Sequence, residues 1–124
     1  MALGAKAVLV VEDSPDLREM MHVLLVDEGY RVLVARDGQE ALDKVAQEMP
    51  GLILLDMKMP GMNGWEFARE FQARYGHAAP IVVVTAAKDA RQRAEEIDAQ
   101  GFLSKPFELD DLVRVVEQHA DAAR

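Results

Sequence analysis

Asp56 follows four large apolar residues, Leu52-Ile53-Leu54-Leu55, and precedes Met57-Lys58-Met59-Pro60-Gly61-Met62-Asn63-Gly64, a stretch with loop chemistry. An apolar run of that length without alternation suits a central strand buried on both faces, and ligands of parallel sheets bind just outside the carboxyl ends of the strands. A carboxylate delivered there is placed to react. Four more groups of chemical use stand at the ends of comparable runs: Glu12 and Asp13 after Val10-Val11, Thr85 closing Ile81-Thr85, and Lys105 after Gly101-Phe102-Leu103-Ser104. Three acids crowded together repel, and burying them unpaired is costly, so a cation and the Lys105 ammonium are natural partners. Carboxylates completed by a backbone carbonyl and waters suit Mg²⁺ better than zinc, which prefers nitrogen and sulfur. Glu12, Asp13 and Asp56 are the available ligands.

The elements that must position these groups follow from periodicity. Short β-branched or Leu-rich runs at Ala7-Val11, Tyr30-Ala35, Leu52-Leu55, Ile81-Thr85 and Gly101-Ser104 read as strands. The first helix takes Ser14 as N-cap and Pro15 as its first residue, carries a stripe through Leu17, Met20, Met21, Leu24 and Leu25, and stops near Glu28-Gly29. The second opens on Asp37 and Glu40 at capping-box spacing, with a stripe through Ala41, Leu42, Val45, Ala46 and Met49 before Pro50. The third repeats the device with Asn63 and Glu66 and buries Phe67 and Phe71; the fifth carries Leu109, Leu112, Val113 and Val116 on one face. The fourth, from Lys88 to Ala99, has only Ala90, Ala94, Ile97 and Ala99 as apolar anchors. Burying alanines removes little area from water, so it is expected to be the least firmly docked. Regular βα alternation implies right-handed crossovers and a parallel sheet with helices on both faces. In a sheet ordered 2-1-3-4-5 the first, third, fourth and fifth strands are adjacent, and the five chemical groups converge.

Composition sets the context. A chain of 124 residues, half of them hydrophobic, is expected to be one domain spanning 1–124. It has no cysteine, and its apolar runs fall far short of the roughly 20 residues of a membrane span, so a soluble, cytoplasmic protein is expected. A formal net charge of -8 argues against nucleic acid binding, which needs basic patches.

Each residue has a plainer reading. Glu12-Asp13 suits a helix N-terminus, Asp56 a turn, Thr85 an ordinary strand, Lys105 the surface and Phe102 the core. All must hold at once for the site to dissolve. Instead, Val-Glu-Asp-Ser-Pro at 11 to 15, Leu-Leu-Asp-Met-Lys-Met-Pro-Gly-Met-Asn-Gly at 54 to 64, Val-Val-Thr-Ala at 83 to 86 and Phe-Leu-Ser-Lys-Pro-Phe at 102 to 107 stand in order. With these four blocks the chain resembles the receiver domain of two-component response regulators.

The resemblance implies a flavodoxin-like fold and phosphorylation of Asp56 by a histidine kinase or phosphotransfer protein. It also implies Mg²⁺ held by Asp13, Asp56 and the Lys58 carbonyl, with Glu12 assisting through water. Lys105 and Thr85 would meet the phosphoryl oxygens, and Phe102 would serve as an aromatic switch. Kinase docking falls to the first helix and the Pro106-Phe107 loop, with Met20, Met21 and His22 as candidate contacts. Output, through a downstream protein, a fused domain or a phosphorylation-dependent homodimer, falls to the face of the fourth helix, fifth strand and fifth helix, with Arg91, Arg93 and Arg114.

Some positions depart from the family pattern. Asp98 stands where a small residue, usually glycine, closes the fourth helix; Asn63 replaces a common aspartate and Phe102 a frequent tyrosine, while Lys58 and Ala87 occupy positions that tune phosphoryl lifetime. Two rival functions remain: an Asp-nucleophile phosphohydrolase, which would carry a second aspartate where Lys58 stands, and a pseudo-receiver that only binds proteins. The final residues, 117 to 124, bring no basic DNA-binding domain, consistent with a stand-alone regulator or a receiver from a longer protein.

Overall fold

In the computed structural model, which describes residues 6–86 and 88–120, five strands alternate with five helices. They are β1 (Val8–Val11), α1 (Pro15–Asp27), β2 (Val32–Ala35), α2 (Gly38–Gln47), β3 (Leu52–Leu55), α3 (Gly64–Tyr75), β4 (Ile81–Ala86), α4 (Ala90–Glu96), β5 (Gly101–Lys105) and α5 (Leu109–His119). Every strand pair is parallel and the order is β2-β1-β3-β4-β5, as the strand-end argument requires. Ala87 and residues 121 to 124 lie outside the described residues, and with them the expectations placed there. No helix among the described residues is long and apolar enough to cross a membrane.

Successive strand side chains point to opposite faces, and this sorts the core into two. Leu9, Val11, Ile53, Leu55 and Val83 pack with Ala41 and Val45 of α2, Phe67 and Phe71 of α3 and Ala94 of α4. Val8, Val10, Leu52, Leu54 and Val84 pack with Met21 and Leu25 of α1 and with Leu112 and Val116 of α5. Helices therefore cover both faces.

The stripes are narrower than the sequence suggested. In α1 only Met21 and Leu25 are fully buried, while Met20 turns to the rim and is exposed. In α2 Ala46 faces solvent, while Met49, past the end of the helix, still packs against the core. In α5, Leu109 sits at the first turn, before the helix settles on the sheet, and is exposed; Val115, not foreseen, is buried instead. Ser14, Asp37 and Asn63 cap as expected, and Asn63-Glu66 forms a full capping box. Glu40 does not close the second box, because its carboxylate accepts from the Arg36 N–H at 2.8 Å, one residue earlier.

The fourth helix is shorter than the stretch from 88 to 99. It runs for 7 residues, its N-cap Asp89 makes no side-chain capping bond, and beyond the C-cap Ile97 the chain reverses at Asp98 with φ 55°. That left-handed conformation favours glycine, but aspartate is among the residues that tolerate it.

Candidate functional site

Pairing of Val11 with Leu55 sets Glu12 and Asp56 on the same rung just past the sheet. Two backbone bonds hold that rung: Asp56 N–H donates to the Val11 carbonyl at 2.9 Å, and Glu12 N–H to the Ala35 carbonyl at 3.0 Å. Leu55 pairs with Val83, so Thr85 stands one rung further along β4, and Lys105 on β5 is paired with Ala86. The β3–α3 loop folds tightly back at Gly64, whose N–H meets the Met57 carbonyl at 2.9 Å. A Cβ there would lie 2.7 Å from Met57 Cα and 2.8 Å from the Asp56 carbonyl oxygen, so only glycine allows the approach.

The expected groups are thus brought together. Glu12, Asp56 and Thr85 are the buried polar residues among those described, at 2%, 5% and 4% exposure. Asp13 is more open, and one carboxylate oxygen from each of Glu12, Asp13 and Asp56 lies within 4.8 Å of the other two. Lys105 Nζ stands 2.9 Å from Glu12 Oε1 and 3.7 Å from Asp56 Oδ1, so the ammonium serves both acids and leans to Glu12. The Lys58 N–H donates to Asp56 Oδ1 at 3.4 Å, while the Lys58 side chain extends outward. Phe102 is exposed, with the Arg91 guanidinium 5.6 Å from its ring centre. The cluster opens into a cleft of about 650 Å³ whose outer wall includes Leu17, Met20, Pro106 and Phe107.

Electrostatics makes Asp56 unusual. Burial first, then the Glu12 carboxylate, push its pKa from 3.8 to about 7; Lys105 pulls it down, a hydrogen bond with Asp13 pushes it up, and the Lys58 N–H pulls it down. The acid therefore needs more positive charge nearby before it is a carboxylate throughout the neutral range. Glu12 Oε1 points the same way: it is buried and makes no hydrogen bond, although it is ion-paired with the Lys105 ammonium at 2.9 Å. An all-oxygen set with an open buried lone pair fits a hard cation such as Mg²⁺.

One residue at this edge escaped sequence reasoning. Arg18, on the first turns of α1, reaches back to the carbonyls of Glu12 and Asp13. Its signal was a cation near a helix N-terminus, against the dipole.

Comparison with known proteins points in one direction. The family model for the response regulator receiver domain matches residues 8–117. The chain is 38% identical over 108 residues to the response regulator MprA of Mycolicibacterium vanbaalenii, covering 86% of this chain and 46% of that one. It is 36% identical over 120 residues to an uncharacterised 14.6 kDa protein of Leptolyngbya boryana, covering 94% and 92%. The chain thus spans about half the length of MprA and nearly all of the smaller relative. Among solved structures, the chemotaxis protein CheY4 of Vibrio cholerae superposes with a TM-score of 0.84 at 32% identity, over 94% of this chain and 99% of that one.

Proposed function

Because the chain belongs to the response regulator receiver domain family, and is thus a signalling domain of two-component systems, we propose that Asp56 is its phosphoacceptor. The donor is a phosphohistidine of a histidine kinase or histidine phosphotransfer protein. The observation that carries this is the placement of Asp56: a nearly buried carboxylate on the sheet's edge, with two more acids and one ammonium converging on it.

An oxygen of Asp56 attacks phosphorus, a P–O bond forms as the P–N bond breaks, and the imidazole leaves with the bonding pair. Such a transfer asks the protein chiefly to align the nucleophile and neutralise charge on the moving oxygens. Asp13, Asp56 and the Lys58 carbonyl would hold Mg²⁺, with Glu12 assisting through water, and the cation would supply part of that neutralisation when bound. Lys105 supplies the rest, and must swing from Glu12 towards the incoming group. The Thr85 hydroxyl then donates to a phosphoryl oxygen.

That last bond converts the modification into a signal. Drawing Thr85 inward pulls the segment leading into α4, and Phe102 turns from its exposed position towards the space vacated. The face of α4, β5 and α5 is thereby altered for a downstream protein, a fused output domain or a second copy. On this reading residues 1–124 are one cytoplasmic receiver, with no nucleic acid or membrane contact of its own.

Acetyl phosphate with Mg²⁺ should add one phosphoryl group to the chain by intact mass. Asp56→Asn or removal of Mg²⁺ by chelation should abolish the addition. A phosphoryl mimic with Mg²⁺ should alter amide exchange chiefly from Thr85 to Phe102. No Mg²⁺-dependent phosphorylation at Asp56 would return the chain to the pseudo-receiver reading, and turnover of phosphate monoesters to the phosphohydrolase one.

A further inference from the structure

Arg18 has no part in the reaction above, and its position on α1 is awkward. It stands four residues past the N-cap Ser14, near the positive end of the helix dipole, where acids rather than cations are favoured. The side chain turns back over the loop instead of running to solvent, and Nη1 donates to the Glu12 carbonyl at 2.9 Å and to the Asp13 carbonyl at 3.4 Å. We propose that Arg18 is a positioning residue for the cation site, clasping the β1–α1 loop so that the Asp13 carboxylate is presented in one place. This rests on the reading of Glu12, Asp13 and Asp56 as cation ligands.

The two acids of the loop are anchored unequally. Glu12 is tied through its N–H to Ala35, through its carboxylate to the Ser14 N–H at 3.2 Å, and through Lys105 at 2.9 Å. Asp13 has none of these supports: its carbonyl is held by Arg18, and its carboxylate meets the side chain of Asp56, itself a ligand. Loss of the guanidinium would leave Glu12 in place and free Asp13. Planar guanidinium geometry also matters, because one nitrogen serving two carbonyls fixes their separation, whereas an ammonium on a flexible stem does not.

Charge and geometry predict opposite signs here, which makes the proposal decidable. A cation beside three acids weakens their attraction for a second cation, so by Coulomb's law alone removing it should tighten Mg²⁺ binding. Loss of the clasp should weaken it, since groups that orient metal ligands are typically worth a factor of about ten or more in affinity.

Mg²⁺ alone is titrated into the ¹⁵N-labelled, chelator-treated chain, following amide resonances of the wild type, Arg18→Met and Arg18→Lys. The expected result is saturable binding by the wild type and roughly tenfold weaker binding by both variants. Without Mg²⁺, faster exchange at the Ser14 amide, whose peptide carries the Asp13 carbonyl that Arg18 holds, should accompany the weakening, with unchanged exchange in β1. Equal or tighter binding by Arg18→Met overturns the positioning role while leaving the cation site standing. Absence of Mg²⁺ binding by the wild type overturns both. If Arg18→Met does not fold, Arg18→Lys decides by the same criterion.

Discussion

Helices α3 and α4 both follow a strand that ends at the candidate site, yet they are fastened by different physics. The first is a 12-residue helix with a complete capping box, and Phe67 and Phe71 are fully buried with rings 5.8 Å apart. The second has 7 residues and no side-chain cap, and docks through Ala90, Ala94 and Ile97. What it lacks in apolar area it recovers in polar contacts with its neighbour. Trp65 Nε1 donates to Glu96 Oε1 at 2.8 Å, Arg93 donates to the same oxygen at 3.0 Å while lying 5.5 Å from the Trp65 ring centre, and Gln72 donates to the Ile97 carbonyl at 2.8 Å. Large aromatic burial fixes one geometry; a few exposed or partly buried hydrogen bonds are exchanged for water at small net cost. Helix α3 is thus held by packing, and α4 by polar contacts that water can replace.

Deletion of buried side chains tests that contrast most strongly. Phe71→Ala should destabilise the fold by about 4 kcal/mol, and Ile97→Ala by about 2 kcal/mol, measured by urea unfolding. Equal losses would erase the distinction. Hydrogen exchange should separate them further, with Ile97→Ala opening α4 locally and Phe71→Ala acting on the whole sheet.

A comparable effect, set by pH, concerns Asp56 itself. Because its pKa rises from 3.8 to about 7 on folding, the folded chain keeps a proton that the unfolded chain has lost. Without divalent cations, stability should therefore fall as pH rises from about 4 to about 7 and level off above. Asp56→Asn should remove this component of the pH dependence and stabilise the chain at pH 8 by on the order of 4 kcal/mol. If the variant has the same pH profile as the wild type, the sheet edge does not hold its carboxylate against an electrostatic cost.

Smallest is Trp65→Phe, which keeps a ring under Arg93 and deletes the N–H to Glu96. Global stability should change by less than about 1 kcal/mol, while amide exchange in α4 accelerates and that in α3 does not. Uniform acceleration would show that the two helices open together.

Much of this was legible in the residues. Leu52 to Leu55 and the caps at Ser14, Asp37 and Asn63 announced their elements, because a buried strand and a helix start are each specified locally. The convergence of Glu12, Asp13, Asp56, Thr85 and Lys105 followed once the order 2-1-3-4-5 was taken for a doubly wound sheet. Where side chains compete for one narrow stripe, the sequence was ambiguous. Met20 and Met21 are chemically alike, and only the closeness of the sheet decides which is buried. Pairings across the fold, such as Trp65 with Glu96, join residues 31 apart and leave no local trace. Arg18 was overlooked for another reason: its partners are backbone carbonyls, which no residue type advertises.

Trp65 is the chain's single tryptophan, and it sits on the seam between α3 and α4. An indole whose N–H meets a carboxylate and whose face meets a guanidinium has an excited state sensitive to both charges. Displacement of α4 would withdraw them together and change the emission. The chain thus carries an intrinsic fluorophore at its junction, and stopped-flow fluorescence could time the rearrangement without any label.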